Sequence, residues 1–260
     1  MLQQYQELKN FGKVKTNVLL SRFSTFQIGG PAKFLVEITE EEKLINILNY
    51  LNQEGLDYVI LGNGSNILFP DQGFDGVIVK IETKNLSISK NIITASAGNQ
   101  LAEIVNLANK NTLSGMEWAT GIPGTVGGAI RGNAGAMGKE VANNLKSARV
   151  WQDGEIKEIP NEECGFNYRH SIFKNNQAVI LSADFELKNG IKEEIIQSMQ
   201  TYLKQRTGRY PVYPSAGSFF QNIDVKNWTG KKEDLPEIFY ERGKIPTGWL
   251  IEQCDLKGYT

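Results

Sequence analysis

The sequence predicts an α+β protein built as two units, a larger one ending near residue 190 and a smaller one after it. Three observations carry this. Two amphipathic helical periodicities alternate with short apolar runs before residue 190. An Asp153-Gly154 pair between two strand-like runs marks an antiparallel hairpin. Beyond Gly190 a helical stretch is followed by a Pro-, Tyr- and Gly-rich segment, "GRYPVYPSAGSFF", and further helix-like pieces.

Taken in order, residues 39–55 read as the first helix. Thr39 and Glu42 have capping-box spacing, Leu44, Ile47, Leu48 and Leu51 share one face, and Gly55 is placed to end it. Strands follow at 57–62, 76–82 and 92–98. A second helix carries Leu101, Ile104, Val105 and Ala108 on one face and ends near Gly115. The hairpin arms are "SARVW" and "EIKEIP", and "QAVILSADFEL" (177–187) completes the strand-rich part. In the second unit, residues 193–206 form a helix with Ile195, Ile196, Met199, Tyr202 and Leu203 inward, and helical pieces recur over 235–253.

Whole-chain properties exclude several functions. The 260 residues carry 28 Lys and Arg against 29 Asp and Glu, a net charge of −1 without a basic stripe, so a nucleic-acid partner is not expected. No run approaches the roughly 18 apolar residues of a membrane span, and the first residues hold no apolar leader core. Two isolated cysteines, Cys164 and Cys254, read as reduced thiols of a cytoplasmic protein. With a single histidine, His170, sites that need several His and Cys ligands are ruled out and no metal is expected.

The densest signal is "GIPGTVGGAIRGNAGAMG" (121–138), with seven of the chain's 26 glycines in eighteen positions. A second glycine loop, "LGNGSN" (61–66), directly follows a predicted strand. Such clusters mark backbone that turns tightly or touches a neighbour closely. Neither fits a known nucleotide fingerprint: no Lys-Ser/Thr pair follows a glycine run, and Ile67 stands where a third Rossmann glycine belongs. Two tight turns remain one reading. Two such loops in one domain favour the other, a phosphate-bearing ligand held by backbone N–H groups, Ser65 and Asn66.

Six segments, in order over nearly the whole chain, resemble one family. "STFQIGGPAKFLVE" (24–37), "LGNGSNILFPDQGFDGVIV" (61–79) and "GIPGTVGGAIRGNAGAMGKE" (121–140) are similar to the FAD-binding half of the UDP-N-acetylenolpyruvoylglucosamine reductases. "FNYRHSIF" (166–173), "YPSAGSFFQN" (213–222) and "GKIPTGWLIEQCDLKG" (243–258) are similar to that family's catalytic and substrate segments. The resemblance implies an FAD-binding fold of the vanillyl-alcohol-oxidase (PCMH) type over 1–190, in two subdomains divided near 85, with a smaller substrate-binding domain over 191–260. It also implies a cytoplasmic, monomeric enzyme of peptidoglycan precursor synthesis. Non-covalent FAD would take hydride from NADPH and reduce the enolpyruvyl ether of a UDP-sugar.

Residue roles follow from the same resemblance. Arg169 matches the active-site arginine that stabilises charge on the substrate carboxylate, and Ser218 matches the proton donor. Leu61, Gly62, Asn63, Gly64, Ser65 and Asn66, with Gly121, Ile122, Pro123, Gly124, Thr125, Val126, Gly127, Gly128, Asn133, Ala134 and Gly135, match the FAD loops. Side chains at Gly124, Gly127 or Gly128 are expected to displace the cofactor, so Gly127→Val is expected to fold without flavin. Tyr168, Arg206, Asn222 and Lys244 match substrate-side positions, although Arg206 equally suits a last-turn cation of its helix.

Three departures qualify the match. Gln221 stands where the family more often has Lys, and Thr247 where Ala is usual. The chain stops at "IEQCDLKGYT", whereas the family continues to a C-terminal catalytic glutamate. Two readings follow, a natural end with weak turnover or a truncated chain. A flavin-binding module without turnover, and a flavin oxidase of the same superfamily, remain alternatives.

Overall fold

The computed structural model describes residues 2–207 and 213–258. They form two compact units, Met1–Ala216 and Gly217–Thr260.

The first unit begins with α1 (Leu2–Leu8) and β1 (Lys13–Leu19), then β2 (Pro31–Ile38), α2 (Glu41–Gln53), β3 (Tyr58–Leu61) and β4 (Phe74–Ile81). These strands make one sheet in the order β1-β2-β4-β3, with β1 antiparallel to β2 and both β2 and β3 parallel to β4. The second sheet takes β5 (Leu86–Ser89) and β6 (Ile92–Ser96). After α3 (Leu101–Lys110), β7 (Leu113–Ser114), α4 (Val126–Gly132) and the small hairpin β8 (Gly135–Ala136) and β9 (Lys139–Glu140), it adds β10 (Leu145–Gln152), β11 (Glu155–Pro160) and β12 (Val179–Glu186). Its order is β11-β10-β12-β6-β5, antiparallel throughout. Then β13 (Lys188–Asn189) pairs with β7, and α5 (Lys192–Arg206) closes the unit. The interval between Ile81 and Leu86 separates the two sheets.

Local chemistry accounts for most elements. Leu44, Ile47, Leu48 and Leu51 of α2 are fully buried, as their spacing demands, and Gly55 follows the helix with φ +61°. Thr39 does not cap α2, which starts two residues later with Glu40 at the N-cap and no side-chain bond. At α3 a capping box forms instead between Gln100 and Glu103. Asp153 and Gly154, both at positive φ, turn the β10–β11 hairpin as read from sequence. The α3 helix ends at Lys110, earlier than expected, because residues 113–114 leave to pair with β13.

Two differences bear on the site. The glycine stretch contains a helix, α4, where only loop was expected. Its three glycines cost about 1 kcal/mol each relative to Ala. Full burial of Val126 and Ile130 offsets this, at roughly 1.5–3 kcal/mol each. Residues 192–206 belong to the first unit, so the division follows Ala216 rather than Gly190. Only Ile195 of α5 is buried, while Ile196 and Leu203 are exposed. The helix therefore lies on the unit through Ile195, with Met199 and Tyr202 partly buried against the main core.

In the second unit β14 (Ile223–Asp224) pairs with β15 (Lys244–Ile245), and α6 (Glu237–Arg242) and α7 (Thr247–Gln253) flank them. Leu235, Phe239 and Ile245 form its small core, with Trp249 edge-on to Phe239 at 5.2 Å. No helix among the described residues is long and apolar enough to cross a membrane.

Candidate active site

The two glycine loops meet. Ser65 Oγ donates to the Pro123 carbonyl at 3.3 Å, and a Cβ built on Gly62 would strike Thr125 Oγ1. Gly124 holds φ +133°, a backbone angle that side chains rarely adopt, with Ser65 Oγ 3.3 Å from where its Cβ would stand. Gly62→Val is expected to force the loops apart, costing about 1–3 kcal/mol in the way overpacked sites do. Thermal melting of the variant beside its flavin content checks this.

Neighbouring segments fix each loop. Gly64 O accepts Thr25 N–H at 3.0 Å, and a Cβ on Gly64 would run into the Phe23 carbonyl. The second loop is tied to residues 97–101: Gly124 O accepts from Leu101 N, and Asn99 O and Ala97 O accept from Val126 N and Gly127 N. Sequence reading missed this partner. Its signal is "SAGNQ", small residues between strand and helix that allow a glycine helix to lie close.

The glycines of α4 therefore divide. A Cβ on Gly127 would sit 3.0 Å from Ala97 Cβ, so that glycine serves packing and not only a ligand, against the expectation that Gly127→Val folds normally. At Gly128 the nearest atom is Thr125 Oγ1 at 3.5 Å, and the residue is exposed. Among the described residues nothing requires a glycine there. Its missing side chain keeps open a space beside the loops.

Other loop residues also have protein duties. Leu61 and Val126 are core side chains, and Thr125 caps α4 by accepting Gly128 N–H at 3.4 Å. What they offer a ligand is backbone. Asn63, Asn66, Gly121, Pro123 and Gly128 are exposed, while Ile122, Gly124, Ala134 and Gly135 are half-buried. Neither 61–66 nor 121–128 contains a charged residue. Uncharged loops with hydroxyl and amide donors, and an open space where a Cβ would stand, fit a diphosphate anion such as that of FAD.

Arg169 stands beside the same stretch, in a turn closed by reciprocal bonds between Asn167 and His170 at 3.1 and 2.9 Å. Its backbone is left-handed, φ +57°, a conformation that costs a non-glycine residue about 1–2 kcal/mol. The guanidinium donates from Nη2 to Gly135 O at 2.6 Å and from Nη1 to Asn133 O at 3.5 Å. It also lies 5.1 Å from the Tyr168 ring centre, so Tyr168 packs under it. Lys174 Nζ donates to the Arg169 carbonyl at 2.8 Å. Burial first, then Arg131 and Arg169, hold that ammonium below the ordinary lysine range. The result is a positive cluster at the end of the glycine stretch. His170 Nε2 lies 3.4 Å from Asn175 Nδ2.

Arg206, the last residue of α5, reaches the other end of the stretch: its Cδ would be 3.2 Å from a Cβ on Gly121. The "YPSAGS" segment is anchored by Ser215, whose N–H and carbonyl pair with Thr25 O and Oγ1 at 3.0 and 2.7 Å. The remaining predicted residues lie in the second unit. Ser218 is exposed there. Asn222 Oδ1 accepts Thr247 N–H at 3.3 Å at the start of α7, and Lys244 pairs with Asp224 at 2.7 Å. The two unusual residues are linked, since the Thr247 hydroxyl donates to the Gln221 carbonyl at 2.5 Å. Of the two thiols, Cys164 is buried, and burial, then Glu162 and Glu163, push it up to about 11.

Comparison with known proteins points to flavoproteins. The FAD binding domain family matches residues 32–159. A UDP-N-acetylenolpyruvoylglucosamine reductase from Caldanaerobacter subterraneus subsp. tengcongensis is 36% identical over 263 residues, covering 100% of this chain and 81% of that protein. Its counterpart from Carboxydothermus hydrogenoformans is 42% identical over 231 residues, covering 85% and 74%. The crystal structure of UDP-N-acetylenolpyruvylglucosamine reductase from Thermus caldophilus superposes with a TM-score of 0.72 at 31% identity, covering 89% of this chain and 80% of that one. A VAO-type flavoprotein from Myceliophthora thermophila C1, 18% identical with a TM-score of 0.51 over 61% of this chain and 32% of that one, shares the fold.

Proposed function

This chain belongs to the UDP-N-acetylenolpyruvoylglucosamine reductase family of FAD-dependent oxidoreductases, and from that premise we propose that it uses NADPH to reduce UDP-N-acetylglucosamine enolpyruvate to UDP-N-acetylmuramate, a step of peptidoglycan precursor synthesis. The observation that carries the reading is the juxtaposition in the first unit of an open, uncharged glycine cradle with a braced arginine.

Residues 61–66 and 121–128 would hold the FAD diphosphate through backbone N–H groups and the Ser65 hydroxyl. Bound there, FAD would supply the two-electron chemistry, a hydride transfer from NADPH to the methylene carbon of the enolpyruvyl group. As that carbon gains hydride, negative charge moves toward the substrate carboxylate. Arg169 is suited to stabilise it: a guanidinium has five N–H donors, and its two carbonyl bonds fix its plane while using two of them. Ser218 Oγ donates the proton to the adjacent carbon, and water restores the hydroxyl. A hydroxyl is a weak acid, but an enolate-like carbon is a strong base, so a positioned serine suffices. Tyr168 supports Arg169, and Arg206, Asn222 and Lys244 are assigned to the phosphates and sugar of the substrate. The lack of a Rossmann fingerprint accords with a nicotinamide that visits and leaves.

The decisive experiment is NADPH oxidation by the purified yellow protein. Consumption that depends on the enolpyruvyl sugar supports the reading, and flavin without that dependence refutes it. Attachment is expected to be non-covalent, as the sole histidine, His170, lies outside both glycine loops. Acid precipitation is expected to release all the flavin, and a yellow pellet would contradict this.

A further inference from the structure

We propose that Asn133 and Ser171, two fully buried polar side chains, are positioning residues that hold Arg169 in register with its substrate. Asn133 ends α4 in a left-handed conformation, φ 42° and ψ 59°, and both ends of its amide are engaged. Oδ1 accepts Ala142 N–H at 3.1 Å, and Nδ2 donates to the Asn167 carbonyl at 3.0 Å. Two residues beyond Asn167, the arginine's side chain returns to the carbonyls of Asn133 and Gly135. On the other side of the turn, Ser171 Oγ donates to the Arg131 carbonyl at 2.8 Å, again on α4. The turn carrying Arg169 is thus fastened before and after it to the helix that lines the glycine cradle.

Left-handed backbone at a non-glycine residue persists only where its surroundings enforce it, and such outliers concentrate at functional sites. A free turn would relax Arg169 to ordinary angles and swing the guanidinium off its carbonyls. Asn133 holds the turn through its amide bond to Asn167, its other amide bond to Ala142 fixes the amide itself, and its sequence neighbourhood reads only as a cofactor loop. Its side chain faces the protein, so its effect reaches the substrate through Arg169.

The inference rests on the functional reading of Arg169, and a double-mutant cycle separates the two. The measurement is the Kd of the UDP-sugar substrate for flavin-loaded protein, by calorimetry, with FAD content measured alongside. Asn133→Gly retains the left-handed backbone and deletes both amide bonds, and Ser171→Ala removes one hydroxyl. At equal FAD occupancy we expect a Kd raised about tenfold for Asn133→Gly and several-fold for Ser171→Ala, and no further loss when either is combined with Arg169→Ala. Equal losses in both backgrounds, or none in the wild-type background, would overturn the proposal. Where Asn133→Gly fails to fold, Ser171→Ala decides by the same criterion. Unchanged binding by Arg169→Ala alone would instead refute the functional reading beneath it.

Discussion

Replacing Ser218 with alanine is expected to leave the first half of the reaction intact and to slow the second by about 10²–10⁴-fold, the usual share of a positioned proton donor. NADPH should bleach the flavin of Ser218→Ala at the wild-type rate, because hydride transfer to the cofactor needs no acid from the protein. Return of the yellow colour on adding the enolpyruvyl sugar should then be slow. Stopped-flow absorbance resolves the two steps in one experiment. The serine is exposed, so truncation removes little packing and the variant should melt with the parent. Equal slowing of both halves would mean that the segment shapes the site without donating the proton.

The second large effect is expected at Gly128, where two readings predict opposite signs. If the glycine made room for no ligand, alanine would improve an exposed helical position by up to about 1 kcal/mol, raising Tm by roughly 2–4 °C in a chain of this size. On the present account that gain appears only without flavin. In the loaded protein the new methyl group enters the space beside the diphosphate, and FAD affinity should fall at least tenfold, about 1.4 kcal/mol. Gly128→Ala should therefore purify pale and melt slightly above flavin-free wild type. Gly127→Ala, whose Cβ meets Ala97 at 3.0 Å, lacks this clean separation of fold from ligand.

Much of this architecture could be read from residue patterns. Leu44, Ile47, Leu48 and Leu51, and the face of α3, are spaced so regularly that burial follows directly. Asp153-Gly154 meets the demand of a two-residue hairpin for positive φ. The α4 helix was not legible, because glycine disfavours helices locally and only the burial of Val126 and Ile130 reverses this. Periodicity places Ile196 and Leu203 inward, yet α5 touches the unit along a narrower stripe. For the site, the glycine density pointed to a ligand but not to which glycines face it. That division depends on Ala97 against Gly127 and on Thr125 against Gly62, which approach through the fold and not through neighbouring sequence. The sequence places Asn133 with the cofactor loop and does not show what its side chain holds. Its partners, Asn167 and Ala142, are 34 and 9 residues away.

The activity proposed for this chain is the passage of electrons from NADPH through bound FAD to the enolpyruvyl ether of a UDP-sugar. An anaerobic titration tests it most directly. The yellow protein is bleached with one equivalent of NADPH, and UDP-N-acetylglucosamine enolpyruvate is then added in portions without oxygen. The oxidised flavin spectrum is expected to return in proportion to the sugar added, with one lactyl ether formed per flavin reoxidised. Flavin that stays bleached until air is admitted would contradict it.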